Sequence, residues 1–151
     1  MPDSELRLRR YWEMRTELSE TEQHLLEKAR SAALNAYAPY SNFRVGAVVQ
    51  TELGEFSGCN VENASYGLSI CAERNAVFAA VAAGARRVLT AAVSCIDASA
   101  DMGPNGRMPC GACRQVLAEF MADDGVVIVD GAGVWKVSEL LPASFLLHSP
   151  D

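Results

Sequence analysis

At 151 residues, 50% apolar and 21% charged, the chain has the length and balance of one soluble globular domain able to bury a core. Its longest apolar run, residues 76–83, is far too short to cross a bilayer, and the first residues carry charges with no apolar stretch behind them, so neither a membrane span nor a secretory signal is expected and the protein is placed in the cytoplasm. The formal net charge of −6, with Lys and Arg scattered except at Arg7, Arg9 and Arg10, argues against a nucleic-acid partner and for a small-molecule substrate.

Residues 1–18, rich in Arg and Glu with Tyr11 and Trp12 as their aromatics, form an N-terminal arm whose order the sequence leaves open; residues 19–147 read as a single domain. Ser19-Glu20-Thr21-Glu22 is a capping box, Ser19 as N-cap and Glu22 three residues on. It predicts a helix with Leu25, Ala29, Ala32, Ala33 and Ala36 on its buried side, stopped by Pro39. A strand over 44–51, a turn at Leu53-Gly54 and a second strand over 55–60 follow. Residues 63–70 read as a loop, 71–83 as a helix closed by Gly84, and 88–96 as a strand. Residues 97–109 hold Gly103, Pro104, Asn105, Gly106 and Pro109 and read as a loop. A helix over 110–121, an apolar strand over 126–129, a turn over 130–133 and a short strand over 134–137 complete the pattern, before Ser138 opens a helical turn that Pro142 ends. Helices alternating with apolar strands predict a sheet covered on both faces.

There are five cysteines, an odd number in a reducing compartment, which favours metal binding or catalysis over disulfides. In Pro109-Cys110-Gly111-Ala112-Cys113 two thiols three apart open a helix on one face, close enough for one metal to hold both. The positive helix end favours the thiolate form. Taken alone, this spacing also fits a redox dithiol. Cys71-Ala72-Glu73 at the start of another helix supplies a third thiol. Three protein ligands leave zinc a fourth position open to water, the catalytic rather than the structural pattern, and zinc lowers the pKa of such a water to about 7. Glu73, in the same first turn, is then a proton shuttle and not a ligand. A Cys-x-Glu followed by Pro-Cys-x-x-Cys is the signature of zinc deaminases. Three thiolates outweigh one Zn²⁺, so a nearby cation is expected to offset the excess, and Arg74 is the nearest candidate.

With these motifs the chain resembles the small homotetrameric cytidine deaminases. The similarity runs from about Leu25 to Phe145, through 38–47 (APYSNFRVGA), 58–67 (GCNVENASYG), 71–74 (CAER), 109–117 (PCGACRQVL) and 139–142 (ELLP). It implies a three-layer α/β/α fold with a mixed five-stranded sheet, and hydrolytic deamination of cytidine and 2′-deoxycytidine to the uridines and ammonia, with one Zn²⁺ per subunit. It implies that Cys71, Cys110 and Cys113 hold the metal, that Glu73 is the general acid/base, and that Asn60 and Glu62 bind the ribose hydroxyls. Phe43 would pack on the pyrimidine, backbone groups of Ala72 and Cys110 would meet the base, and Phe145 would reach a neighbouring subunit's site. The loop over 101–108, Met108 where a small polar residue is expected, and the tail after Phe145 depart from the family pattern.

A deaminase of the same chemistry acting on an aminonucleoside antibiotic such as blasticidin S is the alternative; Asn60 and Glu62 favour an ordinary nucleoside. A non-catalytic zinc or redox-dithiol protein would need neither Glu73 nor an open metal position. Cys59 and Cys95 lie in strand contexts and read as small core residues, His24 and His148 as isolated, and Asp123-Asp124 as a solvated helix end.

Overall fold

The computed structural model describes residues 15–147; residues 1–14, with Tyr11 and Trp12, and the tail from His148 lie outside the described residues. The chain runs α1 (Glu20–Ala33), β1 (Val45–Thr51), β2 (Gly54–Cys59), α2 (Ala72–Ala82), β3 (Val88–Cys95), α3 (Gly111–Phe120), β4 (Met121–Val129), β5 (Gly133–Lys136) and α4 (Val137–Leu140), with 3₁₀ turns at Tyr66–Leu68 and Pro104–Arg107. The capping box is in place: Glu22 N donates to Ser19 Oγ at 3.2 Å and Ser19 N to Glu22 Oε2 at 2.9 Å, satisfying two amides that a helix start leaves unpaired.

The strands form one mixed sheet in the order β2-β1-β3-β4-β5. β1 pairs antiparallel with β2 and β3, β3 runs parallel to β4, and β5 returns antiparallel to β4. Alternation along the strands divides the core. Val48, Ala92, Ile128 and Val134 meet Leu25, Leu26 and Ala29 of α1 on one face. Ala47, Val49, Ala91, Val93, Val127 and Val129 meet Ala76 and Val77 of α2, Leu117 of α3 and Leu140 of α4 on the other. Each fully buried Leu or Val contributes about 1.5–3 kcal/mol. The result is the three-layer α/β/α arrangement that the pattern predicts.

Two glycines let the helices lie directly on the sheet. A Cβ on Gly46 would come within 2.0 Å of Ala29 O, and one on Gly58 within 2.4 Å of Ala76 N. The first seats α1, the second seats α2.

Most boundaries shift by a residue from the sequence reading, and three of the differences have a visible form. α1 stops at Ala33, short of Pro39, and Ala36 lies beyond it. The chain tightens through Leu34 N–Ser31 O, Asn35 N–Ala32 O and Ala36 N–Ala33 O, and Tyr37 is then drawn out to pair with Asn60 and Glu62. β4 starts at Met121, which pairs with Val88; regular pairing resumes only at Val126 opposite Thr90. Asp123 and Asp124 are exposed as expected, but in this irregular stretch of strand and not at a helix end. The last helical turn starts at Val137, one residue before Ser138.

Candidate metal centre and active site

α2 and α3 point their N-termini into one place. Cys71 is the N-cap of α2 and Cys110 the N-cap of α3, and neither side chain makes a capping hydrogen bond. A Ser or Asp at these positions would spend its oxygen on the helix amides; the thiols leave their sulfurs for another partner. Cys113, fully buried in the first turn of α3, completes the group.

Cys71 Sγ lies 3.8 Å from Cys110 Sγ, and Cys110 Sγ 3.5 Å from Cys113 Sγ. All three sulfurs fall within 4.8 Å of one another, and no other His, Cys, Asp or Glu of the described residues joins the group. Zn–S bonds of about 2.3 Å place two sulfurs of a tetrahedron about 3.8 Å apart, so the set fits one zinc ion. A cation beside the thiols strengthens the fit. Arg74 Nη2 donates to Cys71 Sγ at 3.3 Å, while Arg74 Nε is, among the described residues, the one buried side-chain nitrogen or oxygen without a partner.

The electrostatics follow from this crowding. The Cys71 thiol is pulled down to about 5 by the hydrogen bond from Cys113, then by those from Arg74 and Cys110. Cys113 is pushed up by its bond to the Cys71 sulfur and by burial. Glu73, 5% exposed, lies with Oε2 3.6 Å from Cys113 Sγ. Burial pushes its carboxyl up, and the charge of Cys71 adds to the effect. Ala72 between them is fully buried.

The two remaining cysteines stand outside the cluster, but at strand ends and half-buried rather than in the core as expected. Cys59 ends β2; Cys95 ends β3, its thiol donating to Arg107 O at 3.8 Å and pushed up to about 12 by burial.

Asn60, Val61 and Glu62 continue from β2 as an extended strip. Val61 exchanges hydrogen bonds of 2.9 Å in both directions with Ile70, the residue before Cys71, so the strip is joined to the metal loop. Asn60 is more occupied than a free sugar ligand would be. Its Oδ1 accepts from Val45 N at 2.8 Å and its Nδ2 donates to Phe43 O at 2.9 Å, so it also holds Phe43 at the entrance to β1. Glu62 Oε1 accepts from Tyr40 N at 3.0 Å and Ser41 N at 3.1 Å. Ser41 holds this carboxylate below its ordinary range, through its side chain first and then its amide.

Sequence reasoning missed these backbone partners, and also the wall beside Glu62. A cavity of about 260 Å³ is lined by Tyr40, Ser41, Glu62, Tyr66 and Ser69. Tyr40 and Tyr66 meet edge to face with centroids 5.9 Å apart. The turn residues of Pro39-Tyr40-Ser41-Asn42, with Asn42 at φ 53°, were the available signal. Phe145 is 68% exposed, and its carbonyl accepts from Gln115 Nε2 of α3 at 2.8 Å, which ties the C-terminal segment to the helix carrying Cys110 and Cys113. Met108 packs against the core.

The sequence profile of the family described as "Cytidine and deoxycytidylate deaminase zinc-binding region" matches residues 19–129. The chain is 44% identical over 128 residues to a cytidine deaminase of Halalkalibacterium halodurans, covering 82% of this chain and 92% of the relative. It is 42% identical over 118 residues to one of Mycobacterium tuberculosis, covering 78% and 84%. The crystal structure of cytidine deaminase from Burkholderia pseudomallei superposes with a TM-score of 0.72 at 43% identity, covering 85% of this chain and 100% of that one. That of the Mycobacterium tuberculosis protein superposes with a TM-score of 0.70 at 38% identity, covering 83% and 97%.

Proposed function

The chain belongs to the cytidine and deoxycytidylate deaminase family and is an enzyme, a cytidine deaminase; from that premise we propose that it hydrolyses both cytidine and 2′-deoxycytidine, with one zinc ion per subunit, in cytoplasmic pyrimidine salvage. The observation that carries the zinc reading is the meeting of Cys71, Cys110 and Cys113 within 4.8 Å beside a buried carboxyl. Zinc, when bound, supplies an activated water near neutral pH.

The chain's own residues then do the following. Cys71, Cys110 and Cys113 hold the metal, and Arg74 offsets part of their charge. Glu73, whose burial favours holding a proton, takes one from the attacking water and gives it to N3 of the cytosine. As the C4–O bond forms and the C4–N bond breaks, Glu73 passes the second proton to the departing amine, which leaves as ammonia. Glu62, anchored through Oε1, offers its other oxygen to a ribose hydroxyl, and Asn60 adds an amide donor. Phe43 packs on the pyrimidine, and backbone groups of Ala72 and Cys110 meet the base.

The catalytic unit is residues 19–147, with 1–18 as an arm. It works as a homotetramer, in which Phe145 of one subunit reaches the site of the next. Exposed Tyr37, Tyr40, Tyr66, Leu68, Phe145 and Leu147 support this association. Among the described residues no helix is long and apolar enough to cross a membrane.

The test is direct. Purified protein with cytidine or deoxycytidine should lose ultraviolet absorbance as uridine forms, release ammonia in equal amount, and hold one zinc per chain, which Cys110→Ala should lose. Zinc-loaded protein that leaves both nucleosides unchanged would overturn the reading.

A further inference from the structure

α2 is fastened to the strip that carries Asn60 and Glu62 at two points. One is the reciprocal pairing of Val61 with Ile70 at the helix entrance. The other lies one turn into the helix: Asn75 Nδ2 donates to Cys59 O, the carbonyl of the last residue of edge strand β2, at 2.8 Å. Asn75 N itself donates to Cys71 O at 3.1 Å, so this side chain stands one turn above the first thiol. Alongside the second fastening the helix lies on the bare backbone of Gly58, where a Cβ would come within 2.6 Å of Ala72 O. Ala76 and Val77 pack α2 onto the sheet, but with one polar tie at Val61–Ile70 the first turn would keep freedom to rotate and carry Cys71 and Glu73 with it. The second point removes that rotation. Asn is a weak helix former, about 0.5 kcal/mol or more below Ala inside a helix, so its use here is not explained by α2 alone.

We propose that Asn75 is a positioning residue: it fixes Cys71 and Glu73 at a set distance and angle from Asn60 and Glu62, so that the base and the sugar of one nucleoside are gripped together. The base-and-sugar part rests on the deaminase reading; the setting of the thiols does not.

The test uses the full chain with Asn75→Asp, which keeps the shape but loses the donor, and Asn75→Gln, which keeps a donor of longer reach. Asn75→Asp should retain one metal per chain and lower kcat/KM for cytidine about 10–100-fold, since small misplacements of reacting groups carry losses of that order. With Co²⁺ in place of zinc, its sulfur-to-metal and d–d absorption bands should shift, because the Cys71 sulfur stays in the donor set but at an altered angle to the other two. Asn75→Gln should recover part of both. Kinetics per bound metal and cobalt bands that stay unchanged in Asn75→Asp would overturn the proposal even if its Tm fell, as would equal losses in both variants. A wild-type protein inert to cytidine would strike the functional reading alone, because the cobalt bands report on Asn75 without turnover.

Discussion

Arg74 Nη2 stands 3.3 Å from Cys71 Sγ, three residues back along the same helix. Its Nε is buried without a partner, and the half-buried side chain turns its Nη2 onto the thiol cluster. Arg74→Gln should keep the fold and the metal while lowering kcat about 10–100-fold, the usual range for residues supporting metal ligands. Arg74→Lys should restore only part, because an ammonium lacks the planar fork. Steady-state kinetics normalised to bound zinc decide it; an unchanged kcat in Arg74→Gln would leave Arg74 without a role at the metal.

Glu73→Gln separates chemistry from structure. Glutamine fills the same volume but carries no transferable proton, so turnover should drop at least about 10²–10⁴-fold. The wild-type carboxyl is 5% exposed and pushed up by burial, so a neutral amide should leave Tm unchanged or raise it. Calorimetry and zinc analysis alongside the activity assay check both halves. Near-normal turnover would refute the shuttle.

Gly46 and Gly58 face opposite layers and form a matched pair of probes. An added Cβ would meet backbone atoms within 2.0 Å at Gly46 and within 2.4 Å at Gly58. Either alanine should lower Tm, at a cost of about 1–3 kcal/mol for overpacking. Gly46→Ala displaces α1, which bears no ligand, so kcat per zinc should hold. Gly58→Ala displaces the first turn of α2 and should lower kcat as well. The comparison fails if both variants lose activity only in proportion to folded protein.

The ion pair of Arg15 with Glu22 predicts an acid-sensitive helix start. Arg15 donates to both oxygens of Glu22 at 2.7 and 2.6 Å, and with the Ser19 amide it holds the carboxyl at about 2, below its ordinary 4.5. A folded-state value below the unfolded one stabilises the fold above pH 4.5, and the contribution is lost as pH falls toward about 2. Arg15 is half exposed, so the effect is modest. Thermal melts of Glu22→Gln across that window should show a shallower fall in Tm than the wild type.

Much of this was legible because it is local. Ser19 and Glu22 announce their helix through side chain-to-backbone bonds three residues apart. Gly54 and Gly84 mark a turn and a helix end at φ 117° and 102°, conformations other residues resist. The three thiols and Glu73 follow from spacing at two helix starts. The remainder depends on partners distant in sequence. Tyr37 leaves the helix because Asn60 and Glu62 wait for it, and Met121 turns extended because Val88 does. Asn60 holds Phe43 and Val45 across 17 and 15 residues, and Asn75 reaches Cys59 across 16. Periodicity carries no trace of such pairings, which exist only once the sheet has formed.

The spacing of Cys71 and Cys110 bears on how the chain is held together. They stand 39 residues apart, and the intervening segment contains α2 and β3, the central strand of the sheet. A metal gripping both closes that segment into a loop, as a covalent cross-link would. By chain entropy, a cross-link over such a length is worth about 4 kcal/mol against the unfolded ensemble. Zinc held there would double as a clasp on the middle of the sheet, so that chelation would loosen the scaffold while it silences the chemistry.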